Sequence, residues 1–368
     1  MNSTLRYILI GLGIILAIIT IWYFSSIVAY ILISAVLALI GRPLVELLGK
    51  IKIRKIKIPK ALRALTTLIL IWIVIYLFFR LFIPLIVSEV NNLSGLNPQK
   101  ILLSLEEPIN KFENIIEKYQ VEDDEKFKVE EFLSKKAISI FNVSFLSSMF
   151  SSFAGIMGNL FIAFFAISFI TFFFLRDEKL FAESILTLVP DKHVEAFRHA
   201  MNSTRHLLMR YFIGILGQIT GIFTLVTIGL TLVGVGFGHS LLIALIAALL
   251  NVIPYLGPLM GGAIGILLGI ATHIELEFYT ELLPLILKMT GVFIVVQLTD
   301  NLVFQPFIFS SSVKAHPLEI FIIILMAGSL AGIPGMILAI PSYVVIRVFA
   351  KEFFNNFKVV KKLTKNIQ

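Results

Sequence analysis

The stretch that most restricts the fold is Asn251-Val252-Ile253-Pro254-Tyr255-Leu256-Gly257-Pro258, a helix-breaking knot inside otherwise unbroken apolar sequence. Residues 240–252 before it and 259–272 after it are apolar and almost free of charge. At about 1.5 Å rise per residue each arm reaches about 20 Å, short of a hydrocarbon core about 30 Å thick. Two prolines and a glycine free backbone N–H and C=O groups that lipid cannot satisfy. Such backbone survives at membrane depth only where it packs in protein or lines a wet cavity. The stretch therefore predicts a re-entrant hairpin whose tip sits at a solute path. Two short tilted helices joined by a turn are the alternative.

A second break lies downstream. Residues 318–330 form another short apolar arm, followed by Ala331-Gly332-Ile333-Pro334-Gly335 and a return arm through Phe349 that contains Pro341. The two units open alike: His239-Ser240 then an apolar arm, and His316-Pro317 then an apolar arm. Paired interrupted segments in two parts of a chain point to the site of a secondary transporter.

Composition settles the class. Of 368 residues 58% are hydrophobic and 15% charged, and mean hydropathy is +0.95, which no soluble domain needs. The expected fold is an all-α polytopic membrane protein with about six spanning helices, two opposed re-entrant hairpins and a helical extracytoplasmic insertion. The net charge of +8 sits beside apolar segments, so it speaks for orientation in a bilayer rather than for nucleic acid. With zero cysteines, disulfides and thiolate metal sites are excluded.

Read in order, residues 7–24 predict a first spanning helix with Trp22-Tyr23-Phe24 at the interface, too long and too aromatic at its end for a cleaved signal. A second helix covers 27–48. The loop carrying Lys50, Lys52, Arg54, Lys55, Lys57, Lys60 and Arg63 is basic enough to place it, and the N-terminus, in the cytoplasm. A third helix covers 65–87.

Residues 88–150 form the one substantial polar region, expected as an extracytoplasmic helical cap. Its run Glu122-Asp123-Asp124-Glu125 lacks the spacing of a calcium loop. Helix 153–175 returns inward, and an amphipathic arm runs to 210. Its His193, His199 and His206 lack the i,i+4 pairing of a zinc helix, so no metal is expected. A fifth helix, 211–235, is rich in glycine and carries Gln218, Thr220 and Thr224. An acidic loop at 273–283 lies outside, a helix at 285–303 goes inward, and the tail from Lys351 to Lys365 is basic and therefore cytoplasmic. The domains expected are 1–87, 88–150, 151–210, a transport core at 211–349 and a basic tail at 350–368.

The candidate solute or ion path combines Gln297, Asp300, Asn301, Gln305 and Pro306 with the two tips: Asn251, Pro254, Tyr255, Gly257 and Pro258, and Gly332, Pro334 and Gly335. Gln218, Thr220 and Thr224 add a polar face. A carboxylate in a membrane helix costs a few kcal/mol unless hydrated or paired, and is by default a functional hypothesis. Asp300 lies near the cytoplasmic end, so an interfacial role stays open. No phosphate-binding loop, His-Glu-x-x-His or nucleophile elbow appears, so neither an enzyme, a cofactor nor a primary pump is expected.

These motifs carry a resemblance. Asn251–Pro258, Asp300-Asn301 with Gln305-Pro306, His316-Pro317-Leu318, Gly332-Ile333-Pro334-Gly335 and Ile340-Pro341 resemble the autoinducer-2 exporter family of bacterial membrane proteins. So do Leu175-Arg176-Asp177 and Tyr211 with Gly214 and Gly217-Gln218. Asp300 stands where Glu is the more usual residue in that family. The resemblance implies a permease exporting a small polar solute such as autoinducer-2, or in some members sodium/proton exchange. It also implies homo-oligomers, pentamers among them, with lipid, solute, protons or sodium as partners. A membrane scaffold or receptor that moves nothing is the reading from a different class.

Overall fold

The computed structural model describes residues 23–94 and 157–354, apart from 54–55, 188 and 313–314, with isolated positions between 11 and 20. The expected first helix at 7–24, nearly all of the 88–150 insertion and the tail beyond 354 lie outside the described residues. Within them the protein is an all-α polytopic membrane protein. The one sheet among the described residues is a minimal antiparallel ladder in the basic loop, where Lys52 pairs with Lys57 and Ile53 with Ile56. Five helical segments are long and apolar enough to cross a membrane: Ser25–Lys50, Lys60–Ser88, Asp191–Leu232, Phe278–Ile308 and Pro317–Phe354.

The chain divides into two compact units, one made of Met1–Tyr76 with Gly155–Arg205 and the other of Leu77–Ala154 with His206–Gln368. In the first unit, α1 (Ser25–Lys50) packs on α3 (Met157–Arg176), and the opening turns of α2 (Lys60–Ser94) complete the contact. Burial from lipid brings no transfer gain, so small residues and close packing decide such contacts. Gly41 is the small residue here, since a Cβ on it would meet Thr67, Ile71 and Leu175 at 3.0–3.3 Å. Ser34 Oγ, fully buried, donates to the Ile167 carbonyl at 3.1 Å. The outer faces of α1 and α2, with Leu32, Ile33, Ile69, Leu70 and Ile73 exposed, are the surface such a chain gives to acyl chains. A short helix, α4 (Glu178–Leu186), and a 3₁₀ turn at Asp191–His193 follow.

The sequence separates an amphipathic arm ending at 210 from a helix beginning at Tyr211. The structure instead runs one helix, α5 (Val194–Leu232), across both. No proline interrupts these 39 residues, and a change from polar to apolar surface is no reason for a helix to stop. His193, His199 and His206 are exposed.

The second unit holds both predicted breaks. The first is a helical hairpin of α6 (Phe237–Leu250, 14 residues) and α7 (Leu256–Thr272, 17 residues). Buried glycines at every fourth position, Gly257, Gly261, Gly265 and Gly269, present one bare stripe; the arms touch along the first three, and Gly269 meets Met289 of the next helix. A Cβ on Gly261 would lie 3.0 Å from the Ala247 Cα, and one on Gly265 2.9 Å from Ile243.

Next comes α8 (Leu283–Thr299), prolonged by a π-bulge at Asp300–Phe304 into α9 (Gln305–Ser312). The last element, α10 (Pro317–Phe354), reads as a single span by length, yet Ala331 and Gly332 have non-helical backbone. Tyr343 Oη donates to Glu319 Oε2 at 2.8 Å across 24 residues, which a straight helix would separate by about 36 Å. α10 is therefore the second helical hairpin.

Candidate functional site

The tip of the first hairpin is built from local bonds. Ile253 N–H reaches the Leu250 carbonyl at 3.0 Å, Gly257 N–H the Ile253 carbonyl at 2.9 Å, and Leu256 N–H the Pro254 carbonyl at 2.8 Å. The last closes a three-residue turn around Tyr255, whose φ of 66° and ψ of −50° belong to the rare, strained hand of the γ-turn. Tyr255 is the only non-glycine with positive φ among the described residues. Its ring meets that of Phe321, on the entry arm of the second hairpin, edge-on at 6.0 Å.

Gly257 and Gly335 are the tip glycines that backbone crowding requires. Gly257 needs no unusual φ; a Cβ there would collide with the Leu250 carbonyl, because the two arms touch backbone to backbone. Gly335 likewise stands against the Ala327 carbonyl, and at the second tip Gly332 takes the positive φ of 59°.

Asp300 opens the π-bulge and is 1% exposed. Its Oδ1 accepts from Gln218 Nε2 of α5 at 2.7 Å, and its Oδ2 from Gln305 Nε2 of α9 at 2.8 Å. Asn301 Oδ1 accepts from Gln297 Nε2 at 3.0 Å and from Gln305 Nε2 at 3.1 Å. The extra residue of a π-bulge turns neighbours off their α-helical faces, and here it lets Asp300 and Asn301 share the one Gln305 donor.

Asp300 lines a cavity of about 210 Å³ together with Asn251 and Pro258 of the first hairpin and Gln297, Thr290 and Phe293 of α8. Of the other residues named from sequence, Pro254 is buried in the tip, while Pro306, Gly332 and Pro334 are exposed and do not line the cavity. The second tip is therefore not brought to Asp300. Thr220 and Thr224 bond back to the carbonyls of Leu216 and Thr220, each at 2.8 Å. With Gly217, Gly221 and Phe304 they line a separate open groove. Sequence reasoning missed Ile222, Val226, Thr290 and Phe293 on the cavity wall. The four-residue glycine spacing of α7 was the signal for Phe293, whose ring packs where a Cβ on Gly265 would fall.

The profile of the AI-2E family of transporters matches residues 12–355. The chain belongs to that family. A protein of Bacillus subtilis (strain 168) described as "Putative transport protein YueF" is 29% identical over 190 residues, 52% of this chain and 48% of that protein. "Putative transport protein YrrI" of the same organism is 34% identical over 118 residues, 32% of this chain and 31% of that protein. The aligned part thus spans about half the length of these curated relatives or less. The family is one of transporters, and the long apolar helices of this chain agree with membership of it.

Proposed function

We propose that this AI-2E protein is a secondary transporter of the bacterial cytoplasmic membrane that moves a small solute through the cavity beside Asp300. The observation that carries the reading is a buried carboxylate, bonded among the described residues by neutral amides, on the wall of a cavity that the broken tip of a helical hairpin also lines. Charged groups at membrane depth persist where they serve a path, because an idle one is a standing penalty of a few kcal/mol. In the first hairpin, arms of 14 and 17 residues reach about 21–26 Å, which supports a re-entrant hairpin over two full crossings. In this reading both termini are cytoplasmic, the hairpins enter from opposite faces and the protein works as a homo-oligomer.

Autoinducer-2, which gives the family its name, is the first solute to assay. A second reading, sodium/proton exchange, turns on the same residue, since among the described residues no cationic side chain bonds the Asp300 carboxylate. The test is flux in proteoliposomes with an internal pH-sensitive dye. Asp300→Asn is expected to abolish proton-linked movement while the protein remains assembled, and Asp300→Glu to retain part of it. Unchanged flux in the Asn variant across pH would remove Asp300 from the mechanism.

A further inference from the structure

The cavity beside Asp300 has a composition that selects a chemical class. One end carries the carboxylate, with one amide N–H on each oxygen and further acceptor capacity on both. The two donors are neutral, and among the described residues no cationic side chain bonds Asp300 or lines the cavity. Of the other polar side chains on the wall, Thr290 gives its hydroxyl to the Ile286 carbonyl and Gln297 its Nε2 to Asn301. Asn251 differs: it is 4% exposed, and neither its Nδ2 nor its Oδ1 has a partner among the described residues. A buried amide in that condition is destabilising until something meets it. The rest of the wall is mainly apolar, with Ile222, Val226, Phe293 and Ile294.

Three solute classes can be compared on these terms. An anion would face an uncompensated carboxylate in a low dielectric, which is repulsive. A polyhydroxylated neutral solute would satisfy Asp300 and Asn251 but press its remaining hydroxyls on apolar walls, where each one left unpaired is a penalty. A compact apolar body bearing one primary ammonium fits best: the ammonium donates to Asp300 and neutralises the buried charge, its apolar body lies on the wall, and Asn251 Oδ1 is a second acceptor in the same cavity. Volume agrees. An apolar cavity of about 150 Å³ holds benzene, so about 210 Å³ takes an aromatic ring with a short aminoalkyl arm.

We propose that this cavity is an organic-ammonium site, taking a small amphiphilic monocation rather than a polyol or an anion. The proposal rests on the reading of the cavity as the solute site, and it narrows the solute class within it. The test is calorimetric titration of the detergent-purified full chain near neutral pH with phenethylammonium, against 2-phenylethanol and phenylacetate as neutral and anionic isosteres. Phenethylammonium is expected to bind at least tenfold more tightly than the alcohol, and phenylacetate not measurably. Asp300→Asn should remove that preference, bringing the affinity for phenethylammonium down to about that for the alcohol, and Asn251→Leu should weaken the ammonium several-fold.

Equal affinities for ammonium and alcohol in the unaltered protein overturn the proposal, whatever becomes of the variants. Binding of D-ribose that depends on Asp300, without binding of the amine, overturns the ammonium class and leaves the site. If neither titration nor flux responds to Asp300→Asn, the site reading falls with it.

Discussion

Gly257→Ala puts a methyl group where two helices touch through their backbones. Built on the native backbone, the added Cβ falls against the Leu250 carbonyl oxygen, 2.6 Å from its carbon and 2.8 Å from the Asn251 Cα. Side chains could step aside, but these atoms can yield only if the two arms separate. Overpacking of a tight contact costs about 1–3 kcal/mol, and a backbone obstacle belongs at the upper end. Alanine returns up to about 1 kcal/mol of helix propensity. The net expectation is a loss of about 2 kcal/mol, roughly 30-fold in the folded-to-unfolded ratio.

The assay is unfolding in mixed dodecyl maltoside and dodecyl sulfate micelles, followed by far-ultraviolet circular dichroism. Gly217→Ala is the matched control, since nothing lies within 4 Å of a Cβ there, and it should be neutral or slightly stabilising. Because Asn251 is part of the obstacle, flux through the cavity should fall as well. If Gly257→Ala unfolds no earlier than Gly217→Ala, the arms do not touch as described and the hairpin argument fails.

Tyr255→Gly should raise stability by about 1 kcal/mol, because a positive-φ turn strains any residue with a Cβ; a melting temperature at or below that of Tyr255→Phe would count against a strained turn. Tyr343→Phe removes the bond to Glu319 that ties the base of the second hairpin. It should destabilise by about 1–2 kcal/mol in the same micelle assay, and no change would show that packing alone holds those arms together.

Both hairpins were legible because proline and glycine punctuate long apolar runs, and that signal needs no tertiary information. Asp300 was legible because a lone carboxylate in such a run is conspicuous. Its partner was harder. Gln218 lies 82 residues earlier, and sequence marks it only as a polar residue on a glycine-rich helix. The π-bulge was not legible, since no residue type demands one and equal spacing rules assume an unbroken helix. The positive φ of Tyr255 was not legible, because the tyrosine stands in its motif two residues before a glycine. Turn chemistry favours glycine wherever φ is positive, but here close approach of two backbones claims the glycine and the tyrosine bears the turn. A competing steric demand two residues away decided it, and only the pairing of the arms reveals that.

The same pairing changes the reason for a cavity at the tip. From sequence, the break is expected to free backbone groups that a wet path would then satisfy. In the structure Asn251, Ile253, Leu256 and Gly257 all direct their N–H groups to carbonyls within the tip, at 2.8–3.1 Å. The tip has little backbone polarity left to offer a solute. What faces the cavity unsatisfied is a side chain, Asn251, opposite another side chain, Asp300. Hairpin geometry and solute chemistry are therefore separable: glycine stripes and tight turns hold the arms, while two replaceable side chains set what the cavity accepts. A family built on such hairpins could pass from one solute to another by exchange at positions 251 and 300, with no change in the scaffold that presents them.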